Sequence, residues 1–416
     1  MVVAADRARA RMVDALRDAG RIRSPAVEDA FRAVPRHLFL PGLSIDDAYA
    51  DEAVAVQFAE GVATSSASQP SMMAIMLEQL DLRPGHRVLE IGAGTGYNAA
   101  LMARIVGPTG AVTAVDIDED LIAGAAVHLA DAGVTGVGLV VGDGALGHPP
   151  LAPYDRIVLT VGSSDIRPEW VAQLAPGGRL LLPLAVRGSQ LSTALDLGPD
   201  GVLRSDSVRS CAFIRLRGLG ASTDVAARLD GFRLMLQVAE DGPGPDAAEV
   251  AAALACPGGL LPVPVRLGSA DVWDGFGLWL ALTEVGTCRL LASDAETGLP
   301  DDLLPLGPGR GTIALATVRG EQPPGLAMVV AGPDRAEGSR ASSVGVRVYG
   351  AAGPVLGVRL LTALERWLTA GRPGAAEWQM AAVPAGVLRE PLPPGVAVVR
   401  KEHCCLLLDM PGLPTK

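Results

Sequence analysis

Clustered positive charge is absent from this 416-residue chain: 35 Lys and Arg stand against 46 Asp and Glu, a formal net charge of −11. Binding the phosphates of DNA or RNA needs basic side chains banked on one face. The arginines here are scattered, which excludes nucleic acid as the expected partner. Aromatic residues make up only 4%, and no segment approaches the roughly 18 unbroken apolar residues of a membrane span. Cysteine is confined to Cys211, Cys256, Cys288, Cys404 and Cys405. None lies in a C-x-x-C pair, and an odd number without a signal peptide points to a reduced, cytoplasmic setting. His403 precedes Cys404-Cys405, but adjacent strand residues point to opposite faces and cannot converge on one ion. No metal site is expected. The stretch from Asp6 to Arg23 carries Asp6, Asp14 and Asp18 among its arginines and lacks an apolar core, so it reads as an amphipathic surface helix rather than a targeting peptide.

What is present is a globular composition, 49% hydrophobic, with 50 Gly and 32 Pro that imply short, rigid loops. The length suits two or three domains. Residues 1–40 read as helical up to Pro35, and a helix over 71–82 is started by Pro70. Strands and helices then alternate: strands at Arg87–Ile91, Ala111–Val115, Val137–Val141, Arg156–Val161 and Arg179–Pro183, with helices at Tyr97–Val106, Glu119–Ala132 and Pro168–Leu174. That rhythm predicts a mostly parallel, doubly wound α/β sheet covered on both faces. Gln190–Leu197 and Cys211–Leu216 are expected to add closing strands. Past residue 220 the pattern changes to short apolar runs at Gly277–Leu282, Thr312–Val318, Leu326–Ala331 and Val344–Tyr349. One strong helix follows at Gly353–Ala370, with Val358, Leu361, Leu364 and Leu368 on a face, and terminal strands at Val396–Arg400 and Cys404–Leu408. The expected organisation is therefore a first domain over 1–220, with helices in 1–40 and a core sheet over 85–217, and a second α/β domain over 221–416. Trp273, Trp279, Trp367 and Trp378 suit core packing more than the lining of a peptide groove. The turn over 307–311 lacks the Lys-Ser/Thr of a phosphate loop and reads as an ordinary loop.

The chemistry concentrates at Val88–Tyr97, V-L-E-I-G-A-G-T-G-Y, a strand running into a glycine-rich turn. Gly92, Gly94 and Gly96 let backbone approach a cofactor, although G-x-G-x-G alone is weak. Glu90 places a carboxylate at the strand end. Asp116, followed by Ile117, ends the next strand where a nucleoside needs an acceptor for its ribose hydroxyls. Asp143 in Gly142-Asp143-Gly144 ends a third, where a carboxylate and close backbone could grip an adenine amino group. A dinucleotide wants a helix N-terminus for its pyrophosphate. S-adenosylmethionine instead carries a cationic sulfonium and ammonium, which suit the carboxylates Glu90, Asp116 and Asp143.

Together with Val34-Pro35-Arg36-His37-Leu38-Phe39-Leu40-Pro41, Ala48-Tyr49-Ala50-Asp51, Ser66-Ala67-Ser68-Gln69-Pro70, Ala152-Pro153-Tyr154-Asp155-Arg156-Ile157 and Gln173–Leu180, these motifs resemble the protein-L-isoaspartate O-methyltransferase family over roughly residues 25–195. The resemblance implies a Rossmann-like class I methyltransferase domain with S-adenosylmethionine as methyl donor and S-adenosylhomocysteine as product. It also implies that Ser65, Ser66, Ala67 and Ser68 face donor and substrate, with Ser68 as the active-site serine. Met73 falls at a further cofactor-lining position, Gly92 at the glycine-loop contact, Asp116-Ile117 at the ribose and Asp143-Gly144 at the adenine. His37 and His128 are expected to be structural. The family's serine segment usually reads Thr-Ile-Ser, so Ala67 opens space beside the acceptor. The wording Gly94–Leu101 and the long extension are similar to relatives that methylate an Asp of lanthipeptide and graspetide precursors, leading to succinimide. A modified precursor peptide is thus the first expected partner, with isoaspartyl repair as the alternative and a non-catalytic donor-binding protein as a rival of another class.

Overall fold

The computed structural model describes residues 2–412 apart from 60, 223–225, 230, 240, 242–243, 293–302, 307–308, 322, 333–340 and 389–390. Of the 307–311 turn, residues 307 and 308 lie outside the described residues. The chain opens with α1 (Val2–Asp18) and α2 (Pro25–Ala33), the latter started by Pro25 and by a Ser24 hydroxyl that accepts from the Val27 backbone N–H. A 3₁₀ turn at Arg36–Phe39 and α3 (Ile45–Ala48) lead to a hairpin, β1 (Val54–Ala59) and β2 (Val62–Ala67). Next, α4 (Pro70–Leu80) stops at Asp81, which takes the left-handed conformation at φ 47°.

The alternation follows as β3 (Arg87–Ile91), α5 (Tyr97–Val106), β4 (Ala111–Asp116), α6 (Glu119–Asp131), β5 (Val137–Val141), β6 (Tyr154–Leu159), α7 (Pro168–Ala172), β7 (Leu174–Val186), β8 (Ser189–Leu197) and β9 (Leu203–Ser210). Strands β5, β4, β3, β6 and β7 pair in parallel in that order, and β8 and β9 continue antiparallel. The chain therefore leaves β3 in one direction and returns on its other side at β6, which makes the crevice beyond the ends of β3 and β6 a topological switch point. Alternation divides the sheet's two faces. Val88, Ala114, Val158 and Leu181 join the core beneath the N-terminal helices, while Leu89, Val115, Ile157, Leu180 and Leu182 face the opposite core.

The chain continues through β10 (Ala226–Leu229), β11 (Leu234–Val238), α8 (Ala247–Leu254), β12 (Pro257–Gly268), α9 (Phe276–Thr283), β13 (Thr287–Ala292), β14 (Leu304–Leu306), β15 (Gly309–Ala316), β16 (Gly325–Ala331), β17 (Ala341–Gly350) and α10 (Gly353–Thr369). These strands form a separate antiparallel sheet in the order β10-β11-β13-β15-β16-β17-β12, with β14 beside β15. Its period-two burial is plain in β16: Leu326, Met328 and Val330 pack with Val250 and Leu254 of α8, and Ala327 and Val329 join the core shared with the first sheet. Trp279, Trp367 and Trp378 are buried in that shared core.

Four expectations are corrected. The terminal segments β18 (Gln379–Pro384), β19 (Val396–Arg400) and β20 (Cys404–Asp409) extend the first sheet, through β18 against β9, instead of closing the second unit. The first sheet is consequently parallel on one half only. Cys211–Leu216 forms no full strand; Arg215 makes a single bridge to Gly162, and the closing strand is the more polar β9. On α10 the buried stripe is Leu356, Leu360, Ala363, Leu364 and Trp367, whereas Val358 is 63% exposed.

Two contacts fasten the returning chain. Arg187, in the turn between β7 and β8, pairs with Asp241 at 3.1 Å and donates to the carbonyls of Ala281 and Val398. Buried Asp165 accepts from the backbone N–H of His403 at 2.6 Å, from that of Ile166 at 2.7 Å and from the Cys404 thiol at 3.1 Å. Asp165→Ala strands these donors, and removal of a charged acceptor from buried partners costs about 2–3 kcal/mol. Urea unfolding is expected to show that loss, with amide-exchange protection falling first in β19 and β20.

Candidate active site

A pocket opens at the switch point. Its floor is the end of β3, its sides are the ends of β4 and β6 and the β2–α4 segment, and every lining residue lies between Arg36 and Arg217. The glycine turn adopts a conformation closed to other residues: Gly92, Gly94 and Gly96 have φ of 97°, 51° and 86°. A side chain at Gly92 would meet Thr160 Oγ1 and Val161 Cγ1 at 2.9 Å each. At Gly94 it would enter the open cavity, meeting only Ser65 Oγ at 3.9 Å. Thr160 at the end of β6 donates to the Gly92 carbonyl at 2.6 Å, tying the two strand ends together.

Glu90 is fully buried and lines this pocket. Asn98, in the first turn of α5, donates to its Oε1 at 2.7 Å, while Oε2 is buried without a partner. Burial lifts its pKa to about 8 against the stabilising Asn98 hydrogen bond, and the nearby Asp116 adds to the rise. Asp116 accepts from Gly94 N–H at 3.0 Å and from Asp118 N–H at 3.2 Å. Asp118 is held below the usual carboxylate range, first by a hydrogen bond from Gln57 of β1. Arg217 stands 3.8 Å from both Asp116 and Asp118.

Of the residues selected from sequence, Ser65, Ser66, Ala67, Ser68, Met73, Glu90, Gly92, Gly94, Asp116, Ile117 and Gly144 all line the pocket. Two do not. Gly96 is turned into the protein, where a side chain would come within 3.1 Å of Ala125 Cβ on α6. Asp143 is taken up by backbone, accepting from Ala145 N–H at 2.9 Å and Leu219 N–H at 2.7 Å. The segment Phe213–Arg217 that brings Leu219 there supplies part of the wall and was not anticipated, nor were Arg36, Tyr97, Asn98 and Thr160. Of these, Arg36 carried a signal, as the one arginine in the largely apolar stretch Ala33–Leu40. The histidines are structural, with His128 Nδ1 3.0 Å from the Thr95 carbonyl and His37 Nδ1 2.9 Å from the Tyr49 hydroxyl.

The family model described as protein-L-isoaspartate(D-aspartate) O-methyltransferase matches residues 7–220, just over half of the chain. The chain belongs to this family. A protein-L-isoaspartate O-methyltransferase of Methanopyrus kandleri is 41% identical over 213 residues, 51% of this chain and 92% of that relative. A solved structure of the same name covers 90% of this chain and 96% of its own, at 23% identity and TM-score 0.49. A Plasmodium falciparum protein described under that enzyme name, solved in complex with S-adenosyl-L-homocysteine, covers 50% of this chain and 97% of its own at 20% identity and TM-score 0.44. As a member of the protein-L-isoaspartate O-methyltransferase family the chain is an S-adenosylmethionine-dependent methyltransferase. The pocket fits such a cationic donor: a buried, half-satisfied carboxyl group, whose ionised form a bound cation would favour, meets a wall cleared of side chains at Gly94. No helix among the described residues is long and apolar enough to cross a membrane.

The raised pKa of Glu90 has a sign that stability reports. Between pH 4.5 and about 8 the folded protein holds a proton that the unfolded chain has lost. Stability of the ligand-free protein therefore falls as pH rises through that window and levels off above it, by up to about 5 kcal/mol. Glu90→Gln removes the dependence. Calorimetry is expected to show equal stability of the two proteins near pH 4 and a higher Tm for the variant at pH 9.

Proposed function

We propose that the chain esterifies the free α-carboxylate of an isoaspartyl residue in a peptide or protein, with Ser68 orienting that carboxylate. The observation that carries this is the wall formed by Ser65, Ser66 and Ser68 on the cavity that also holds Glu90 and the open Gly94. In this reading Glu90 receives the donor's ammonium, Gly92 and Gly94 admit its amino-acid portion, Asp116 with Ile117 takes the ribose, and Gly144 borders the adenine. Asp143 shapes the adenine end through the backbone it holds. Met73 and Ala67 border the donor's methyl group.

The chemistry asks little of the protein. When bound, the donor supplies a methyl group already activated by its sulfonium leaving group. An aspartyl-type carboxylate, of pKa about 4, is ionised at neutral pH and needs no general base. Consistently, no histidine lines the pocket. The residues' task is to hold an oxygen in line with the methyl carbon and to keep water out. Met73, Met76, Leu77 and Leu80 give the apolar side of the cavity. The resulting ester can then lose methanol: the following backbone nitrogen bonds to the ester carbonyl carbon, the carbon–methoxy bond breaks, and the amide proton leaves with methoxide. The product is a succinimide.

A second reading has one specific observation behind it. Ala67 is buried in the pocket wall, beside Ser68, and presents only a methyl group there. The room this leaves suits the normal aspartate of a dedicated, constrained peptide from a ribosomally made precursor. The chain beyond residue 220, which contributes nothing to the pocket lining, would then recognise the rest of that peptide.

Mass spectrometry after incubation with the donor separates the readings. One added methyl on an isoaspartyl peptide and none on its aspartyl isomer supports repair; methylation of normal aspartate followed by methanol loss supports the dedicated peptide. Methylation of neither, with the donor bound, would overturn both. Ser68→Ala is expected to lower kcat about 10- to 100-fold, the worth of a hydrogen bond to a charged group. The donor Kd should stay within about two-fold, and an equal loss in both would refute the orienting role.

A further inference from the structure

Arg36 is the most deeply buried cation of the pocket wall, 1% exposed, and among the described residues it makes no salt bridge, Asp51 acting on it only from beyond ion-pair distance. Its Nε donates to the Ala48 carbonyl at 2.9 Å and Nη1 reaches only the Met73 thioether at 3.8 Å, a weak acceptor. Nη2 is buried with no partner at all. The guanidinium lies over the Tyr97 ring, its Cζ 5.2 Å from the centroid, and the Tyr97 hydroxyl is likewise buried and unpartnered. Three buried polar atoms without partners, Arg36 Nη2, Tyr97 Oη and Glu90 Oε2, thus belong to residues of one cavity. A buried guanidinium left unpaired is costly, and a fold that keeps one on a ligand cavity reserves it for an anion.

We propose that Arg36 is a carboxylate anchor: its free Nη2 receives the carboxylate of a molecule bound in the cavity, while Glu90 receives the ammonium carried on the same carbon. The pair reads an α-amino-acid zwitterion, anion to cation at both ends. The donor's amino-acid end has that chemistry, and a planar guanidinium suits a carboxylate better than an ammonium would. The peptide acceptor is the other source of a carboxylate in this cavity. The inference rests on the family's donor and is independent of which peptide is methylated.

Calorimetric titration with S-adenosylhomocysteine and with 5′-methylthioadenosine, which keeps the nucleoside and lacks the amino-acid end, tests it in wild type, Arg36→Met and Arg36→Lys. For a donor carboxylate, Arg36→Met weakens S-adenosylhomocysteine about thirty-fold. Methylthioadenosine should stay within two-fold, and Arg36→Lys should recover part of the loss. For an acceptor carboxylate, both nucleosides keep their affinity and KM for a methyl-accepting peptide rises by a similar factor with kcat less affected. Equal weakening of both nucleosides, or no change in their ratio and none in KM, overturns the proposal. Should Arg36→Met fail to fold, Arg36→Lys and the wild-type affinity for decarboxylated S-adenosylhomocysteine decide the donor arm, and peptide KM in Arg36→Lys decides the other. Methylthioadenosine binding keeps a failure of the anchor distinguishable from a failure of the donor site.

Discussion

The carboxyl group of Glu90 lies buried at the carboxyl end of the central strand, and because ionising a lone buried carboxyl is so costly, burial keeps its proton on to about pH 8. Its surroundings are organised by that cost. The strand order places β4 and β6 on either side of β3, so that the crevice opens where Glu90 sits. The left-handed Gly96 turns the chain into α5 with Asn98 in its first turn, able to donate back to one carboxylate oxygen at 2.7 Å. The other oxygen is left without a partner. An unfavourable term of this kind persists only where packing over-determines it, and here Leu89 and Ile91 on one face and Val88 on the other hold the strand. A cation entering the crevice removes the term, which is how a stability cost becomes binding energy.

The half of the fold that builds the crevice was legible because each of its elements satisfies local rules on its own. Stretches such as Val112–Val115 and Ile157–Leu159, buried by neighbours in a parallel sheet, are almost wholly apolar, and Pro70, Gly96 and Gly107 mark the ends of helices. What failed was whatever depends on distant partners. The strand β9, Leu203–Ser210, is mostly polar because one of its faces meets solvent, and it is fixed only by β8 and β18. The hairpin β1–β2 has no sheet beyond itself. Asp143 looked like a ligand group from its strand-end position, but the N–H that satisfies it belongs to Leu219, 76 residues away. No local pattern announces such a contact.

Site chemistry divides the same way. Side chains delivered by the motif strands, Glu90 and Asp116, arrive where strand geometry sends them, at adjacent carboxyl ends. Arg36 comes from a 3₁₀ turn outside the alternation, and its place on the cavity wall follows from packing against Tyr97 and Met73. The cavity thus takes its carboxyl groups from the sheet and its buried guanidinium, Arg36, from the helical layer over it, while Arg217 comes from the segment after β9.

The second half of the chain acts on this arrangement through the frame. It contributes no lining residue, yet α9, α10 and the buried tryptophans share one core with Leu180, Leu182, Leu184 and Val186 of β7 and Leu191 and Leu195 of β8. The returning strands β18–β20 also occupy the edge that β9 would otherwise present. In the Methanopyrus kandleri relative the matched region amounts to 92% of the protein, so a comparable segment there has little chain left to cover such a surface. Here the leucines of β7 and β8 have been built for company, and cutting near residue 220 would expose both an apolar face and a strand edge. The Asp165 contacts to His403 and Cys404 begin six residues past the end of β6, one of the two strands whose ends hold Gly92 in place. Through Asp165 the extension thus touches the segment that follows β6, the same segment whose Thr160 is tied to the glycine turn.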